Sequence, residues 1–425
     1  MLRLVVLALA VGDLALLLAQ AGRDGAFDMR HLLAPAGYTG AYVLLLWYLG
    51  KRVQGGLADP ILLSALIALT GIGLAALARI DPAMLARQLR WFWLGVGGFL
   101  VAALAPVWRY VGRYRYLWAA SGFLLLLVTA LFGVELGGAR SWIRLGSFQF
   151  QPIEIVKILL VFYLSAHLAE AKPFLSAPRP GGGGWSERAY LGPLVVMGFL
   201  FVFVLVAQRD LGGALLLFGL VVAMLFAATG LIRYLVAGGL IAALGASLAA
   251  LFFDHVRIRF LVWLDPWSYS RGYQIVEALF ALAAGGFSGT GFGRGLAHRI
   301  PAVETDFILA LIAEELGLLG ACGLLFLLAV ICVRCLAPAF DPALEDVERL
   351  GALGVSLLVA LQAGLIVAGV TRLLPVTGVT LPFVSYGGSS LVASFLQVGL
   401  VYNRLRASAR SEAGRGSGVT QWREV

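Results

Sequence analysis

The chain is written in long apolar runs separated by short polar breaks. The runs fall at about 2–20, 32–50, 60–78, 91–107, 117–136, 151–169, 191–207, 211–229, 231–253, 306–333, 351–374 and 387–404, twelve in all. A helix needs about twenty apolar residues to cross a bilayer. Inside the bilayer every backbone N–H and C=O must find a partner within the protein, which helices achieve. The ten-residue alternation of a membrane β-barrel is missing. The pattern therefore predicts an all-α, polytopic membrane helical bundle. It divides into a pair of spans in 1–52, a core in 53–404 and a polar tail in 405–425. The longest inner segment, 170–190, contains Pro180 and Gly181 to Gly184 and reads as a flexible linker.

One interval breaks the rhythm. Residues 254–305 separate two spans by about fifty residues, far beyond the roughly 12–15 at which a connection usually needs a functional reason. The interval is rich in charge, including Arg257, Arg259, Asp265, Arg271, Glu277, Arg294, Arg299 and Glu304, and Asp306 comes directly after it. Tyr273 to Ala284 has the pattern of an amphipathic helix, and glycines at 285, 286, 289, 291, 293 and 295 loosen the segment after it. The bland alternative is a solvated loop carrying an interfacial helix.

Composition agrees with a membrane bundle. The chain is 61% hydrophobic and only 13% charged, against about 25% charged for soluble proteins. Its net charge of +9 does not point to nucleic acid, because the basic residues lie between spans and form no basic domain. Membrane orientation and anionic membrane lipids account for them. Cys332 and Cys335 form a C-x-x-C, but at the end of an apolar helix without the βαβ context of a redox motif. Arg3, the first apolar run and Ala19-Gln20-Ala21 resemble a cleavable signal peptide, against which Asp13 stands inside the run.

Orientation comes from Lys and Arg. With the N-terminus in the cytoplasm, inner segments hold seventeen of them and the short outer loops nine. Both termini are therefore expected inside and 254–305 outside.

Four outer segments then carry the chemistry. The first runs from Gly137 to Gly146 with Arg140, Trp142 and Arg144, and continues into Gln151-Pro-Ile-Glu-Ile-Val-Lys157. Glu154 and Lys157 share a helix face. An ionisable pair at membrane depth is either functional or a structural lock between helices. The second is Gln208-Arg-Asp-Leu-Gly212, where Asp210 either caps a helix or belongs to a site. The third is Pro301 to Phe307, containing Glu304 and Asp306. Projected from Asp306 along one helix, Glu314 lies about 12 Å deeper and about 80° round, which makes it the expected neighbour in the same cavity, with Glu315 turned away. The fourth is Leu374 to Ser390, containing Ser385. Its two prolines and Gly387-Gly388 break the helix, and broken helices in membranes normally line a cavity. Arginines suit phosphate and carboxylates suit proton abstraction from a hydroxyl. A lipid-linked phosphorylated substrate fits both, and so does a transporter of anionic lipids.

At these residues the chain strongly resembles the SEDS family of RodA, FtsW and SpoVE. The matching stretches are GARSWIRLG with QPIEIVK, AQRDLGGAL, FLVWLDPWSYSRGYQIVEALFALAAGGFSGTGFGRG, TDFILALIAEELG and LLPVTGVTLPFVSYGGSSL, spread over roughly 60–404 in family order. The resemblance implies a ten-span core, so the two spans before residue 52 are additional. It implies a peptidoglycan glycosyltransferase that polymerises lipid II, the undecaprenyl-pyrophosphate-linked disaccharide peptide, into β-1,4 glycan with inversion. It matches Asp306 to the family's proposed catalytic aspartate. Arg140, Trp142, Arg144, Glu154, Lys157, Asp210, Arg271, Glu304, Glu314 and Ser385 are then the substrate-binding candidates. No cofactor is implied, although a divalent metal could share the charge on pyrophosphate. The implied partner is a class B penicillin-binding protein, a transpeptidase, since no Ser-x-x-Lys module occurs here. The sequence departs from the family at Glu304, where histidine is usual, at Arg209, where proline is usual, and at Ser141, where a second arginine is usual. Glu304 would raise the pKa of Asp306 by like-charge repulsion. The rival activity is a flippase for lipid II, and a third reading is a scaffold for the elongation or division machinery.

Overall fold

In a computed structural model, residues 2–24, 28–52, 57–136, 138–146, 148–175, 185–296 and 299–420 are described. The 180–184 linker lies outside them. The order is α1 Leu2–Asp24, α2 Leu33–Arg52, α3 Pro60–Ile80, α4 Pro82–Leu104, the single turn α5 Trp108–Val111, α6 Arg115–Phe132, β1 Val134–Leu136, β2 Ala139–Leu145, β3 Phe148–Phe150, α7 Ile153–Leu175, α8 Trp185–Ala207, α9 Leu211–Thr229, α10 Ile232–Phe252, α11 Asp254–Leu264, α12 Tyr273–Gly285, α13 Ile308–Leu336, α14 Asp346–Val370 and α15 Gly388–Thr420. Each of the twelve apolar runs falls on a helix. Among the described residues, nine helices are long and apolar enough to cross a membrane. The other long ones, α4, α7 and α15, interrupt their apolar faces with charges such as Arg87 and Arg90, Glu154 and Lys157, and Arg404 and Arg406.

The bundle is a multi-pass membrane protein, and its packing gives each helix a different share of protein and lipid. α7 sits centrally, against α6, α8, α9 and α14, and α15 lies along α4. The N-terminal pair docks on this core, α1 along α3 and α2 against α4. Gly12 and Gly71 let α1 and α3 approach so closely that a Cβ on Gly71 would sit 2.7 Å from the Gly12 Cα. Beside this contact the Tyr38 hydroxyl of α2 donates to the Ile67 carbonyl of α3 at 2.6 Å. α10 is the opposite case. Only Gly238 is buried along it, so the rest of the bundle leaves nearly all of its surface uncovered.

Two features differ from the sequence reading. Strands 134–136, 139–145 and 148–150 form a small antiparallel sheet, β1–β2–β3, where the sequence reading has the end of an apolar run and a polar segment after it. α11 opens the long interval and is a helix of its own. The amphipathic helix expected at Tyr273 to Ala284 is present as α12.

α13 is two helices joined at Gly317, whose φ of 69° and ψ of −169° are non-helical. The backbone groups freed by the break are taken up by the extended segment after α12. Thr290 and Gly291 N–H donate to the carbonyls of Glu314 and Glu315, and Leu318 and Leu319 N–H donate to Gly286 and Phe287. A Cβ on Gly317 would fall 2.3 Å from the Gly289 nitrogen. Gly317→Ala is therefore expected to destabilise the bundle by about 1–3 kcal/mol from backbone strain alone, more with the clash. Thermal unfolding of the purified variant in detergent measures this. An unchanged Tm would mean that the break does not depend on glycine.

Candidate active site

Five segments converge at one end of the bundle. α9 begins at a tight turn in which Arg209 has φ 63°. Asp210 caps α9 by accepting from Gly213 N–H at 2.8 Å, which satisfies one of the free donors of the helix start. Gly212 touches the non-helical stretch between α14 and α15, where a Cβ would stand 2.2 Å from the Thr377 oxygen. Gly213 lies against Ile153 at the start of α7. The small sheet joins here too, through Arg140 N–H donating to the Gln208 carbonyl at 2.9 Å. α11 supplies the last wall. The Trp263 indole donates to Arg372 O at 3.0 Å and Arg372 returns a bond to Trp263 O at 2.9 Å, pinning α11 to the end of α14.

Between these walls is a cavity of about 720 Å³, open to solvent. Arg209, His255, Arg259, Arg271, Tyr273 and Asp306 reach it, with Gly138, Ala302, Val376 and Gly378 closing the backbone around them. Arg209 and Ala302 both have left-handed φ, 63° and 56°. For residues with a side chain this conformation is sparsely populated and collects at functional sites. A proline could not occupy the left-handed position of Arg209, because its ring fixes φ near −65°.

Asp306 sits on the turn before α13. The N-cap of α13 is Phe307, and no side chain caps it, so Asp306 is not a capping residue. Its turn is held from behind by the segment before α15. The Ser385 hydroxyl donates to Thr305 O at 2.6 Å, and Tyr386 N–H donates to Glu304 O at 2.7 Å. Burial pushes the Asp306 carboxyl up to about 6, with Glu304 adding to the rise and a hydrogen bond with Thr305 and the charge of Arg259 opposing it. A base with a pKa near the working pH is suited to proton transfer.

The sequence candidates divide on this geometry. Asp306 and Arg271 share the cavity. Glu304 is half-buried on the same turn. Asp210 lies just behind the wall, its carboxyl raised by burial and sensing Arg259, Glu154 and Lys157. Glu154 and Lys157 form a buried pair, Nζ to Oε2 2.6 Å, with side chains 6% and 2% exposed. Lys157 is therefore enclosed and turned to its partner, away from the cavity surface. Arg140, Trp142 and Arg144 occupy alternate positions of β2 and so share one face of it. Arg140 and Arg144 are exposed and Trp142 half-buried, and among the described residues the hairpin sends only Gly138 into the cavity wall.

Two expectations need correction. Glu314 does not share the cavity with Asp306. Its Oε1 accepts from Leu296 N–H at 2.9 Å, while Glu315 accepts from Gly293 N–H at 2.9 Å and pairs with Arg79 at 3.3 Å. Both carboxylates fasten the glycine-rich loop. The helical projection fails because Asp306 precedes the helix and does not belong to it. Ser385 is buried, 4% exposed, and its hydroxyl braces the Thr305 backbone without reaching the cavity. Arg259 is not among the sequence candidates for the site, yet it lines the same cavity as Asp306. Among the described residues no three His, Cys, Asp or Glu side chains gather as metal ligands.

A carboxyl group raised by burial and three arginines share one cavity at one end of a polytopic membrane bundle. Comparison with known proteins makes this particular. The family model described as "Cell cycle protein", FtsW/RodA/SpoVE, matches residues 61–410. The peptidoglycan glycosyltransferase RodA of Mycobacterium tuberculosis is 38% identical over 362 residues, covering 81% of this chain and 77% of that protein. A probable peptidoglycan glycosyltransferase FtsW of a Geobacter species is 32% identical over 379 residues, covering 84% of this chain and 100% of that protein. A solved structure described as the structural coordination of polymerization and crosslinking by a peptidoglycan synthase complex superposes with TM-score 0.68 at 30% identity, covering 82% of this chain and 98% of the matched one. The chain belongs to the FtsW/RodA/SpoVE family.

Proposed function

We propose that this chain extends glycan strands from lipid II at the outer face of the cytoplasmic membrane, with Asp306 as its base. Peptidoglycan glycosyltransferase activity is the activity of the family. The lipid substrate, the residues and the orientation are our own reading. The observation that carries it is Asp306, raised to about 6, in one cavity with Arg209, Arg259 and Arg271.

The chemistry is a single displacement. The acceptor's 4-hydroxyl gives its proton to the Asp306 carboxylate as its oxygen bonds to the donor's anomeric carbon. The bond from that carbon to the pyrophosphate oxygen breaks, and undecaprenyl pyrophosphate leaves with the electron pair. Inversion turns the α-linkage of the donor into a β-1,4 bond. Arg271 and Arg209 are placed on the cavity wall to stabilise the charge that grows on the leaving pyrophosphate. Arg140 and Arg144 stand on the flanking hairpin, where they extend the cationic surface. Asp210 and the Glu154–Lys157 pair support the wall from inside, and Ser385 holds the turn that carries the base. Crosslinking falls to a class B penicillin-binding protein. Greater identity to the RodA than to the FtsW relative favours a role in elongation.

The test is the purified protein with lipid II, with and without a class B transpeptidase, scored for glycan polymer on a gel. Absence of polymer under both conditions would overturn the assignment. The orientation has its own check. With both termini inside, the exposed Ser288 lies outside. A Ser288→Cys variant, in a background with Cys322, Cys332 and Cys335 replaced, is expected to react with an impermeant maleimide on intact cells. Labelling only after permeabilisation would place the site on the wrong face.

A further inference from the structure

The cavity groups do not stand alone. Asp210 on the α9 turn senses Lys157 and Glu154 on one side and Arg259 on the other. Arg259, in turn, senses both Asp210 and Asp306. Read from the membrane outwards, Glu154, Lys157, Asp210, Arg259 and Asp306 alternate in sign. Arg259 is the member contributed by α11, and the charges of both aspartates act on it. Its guanidinium is anchored, with Nη1 donating to Val376 O at 3.5 Å. Two residues on, Gly378 lies against the base, a Cβ there being 3.9 Å from Asp306 Oδ2. Segment 376–378 thus touches the cation and the carboxylate at once.

We propose that Arg259 is the positioning residue of this site, holding the Asp306 carboxylate charged and aimed into the cavity from the wall the two residues share with segment 376–378. The inference rests on the reading of Asp306 as the base and adds what sets that base. The other titratable or charged groups around it are Glu304 on its own turn and Arg209, His255, Arg271 and Tyr273 on the cavity wall. Of these, Glu304 opposes ionisation of Asp306 and Arg259 favours it. His255 is held towards its neutral form by burial and by the charges of Arg209 and Arg259, so it adds little positive charge of its own. A hydrated lysine point charge keeps the sign of Arg259 but not its forked geometry.

The experiment compares the full-length protein with Arg259→Gln, Arg259→Lys and Asp306→Asn. Polymerisation of lipid II is followed across about pH 5 to 9. The Asp306 carboxyl is titrated separately by infrared spectroscopy, its C=O band being the one lost in Asp306→Asn. In Arg259→Gln the acid limb and the carboxyl midpoint are both expected to rise by about 1–3 pH units, the usual effect of losing a close opposite charge. Activity lost near neutrality should then return at higher pH. Arg259→Lys should keep most of the wild-type midpoint. An unmoved carboxyl midpoint in Arg259→Gln, with or without loss of activity, overturns the inference. Polymer made by Asp306→Asn overturns the base assignment instead, and the infrared titration still decides the part played by Arg259.

Discussion

Asp306→Asn is expected to fold, insert and bind the proposed transpeptidase partner, and to lose glycan polymerisation by about 10²–10⁴-fold, the usual worth of a positioned general base. The competing role for an aspartate just before a helix is capping, which asparagine would preserve. The structure removes that ambiguity, since α13 begins at Phe307 without any side-chain cap. Stability should move the other way from activity. Burial raises the carboxyl from its ordinary value to about 6, so the folded state binds the proton more tightly than the unfolded chain. The ionised group therefore destabilises the fold increasingly as pH rises from about 4 towards 6. An uncharged asparagine escapes that penalty, and the variant should melt no lower than wild type at neutral pH. Wild-type activity should fall as pH drops through about 6, when the base takes up its proton. Polymer made at near wild-type rate by Asp306→Asn would remove Asp306 as the base, and Glu304, on the same turn, would be the next carboxylate to replace.

The spans are legible in the sequence because a bilayer imposes length and apolarity on every helix that crosses it. Where those constraints relax, the pattern is harder to read. β2 alternates Arg140, Trp142 and Arg144 with Ser141, Ile143 and Leu145, a period of two. That signal is present, but it is seven residues long and is crowded by glycines. α11 mixes three charges and a histidine with apolar residues over eleven positions, too short and too mixed to show a helical face. Arg259 is hidden for that reason, since its importance comes from α11 folding back over the cavity. Gly317 cannot be recognised as a break, because Glu315, Leu316, Leu318 and Leu319 around it are good helix formers and its left-handed φ and the approach of Phe287 and Gly289 appear only in the folded chain. The error at Glu314 has the same origin: it assumes one regular helix from Asp306 inwards. Asp306, Asp210 and the Glu154–Lys157 pair are legible because a charge is costly beside or within an apolar run and is rarely kept there without a role.

That pair gives the second large effect. Nζ of Lys157 lies 2.6 Å from Glu154 Oε2, and the two side chains are 2% and 6% exposed. Lys157→Met would leave the Glu154 carboxylate buried without its counter-ion, at a cost of about 3–5 kcal/mol. The double change Glu154→Gln with Lys157→Met removes both charges and should recover most of that stability, because the desolvation cost of an ion pair offsets much of its attraction. Activity separates the two uses of the pair. Lys157 is enclosed, so it does not reach a pyrophosphate in the cavity directly. The charges of Lys157 and Arg259 both act on Asp210. If the pair serves only to lock α7 in the bundle, the double variant regains polymerisation along with its melting temperature. If the alternating charges matter to the site, the double variant folds but stays slow. We expect the second result, since Asp210 would then face Arg259 with neutral groups behind it. Full recovery of polymer yield in the folded double variant would leave Glu154 and Lys157 a structural lock, and the electrostatic path to Asp306 would begin at Asp210.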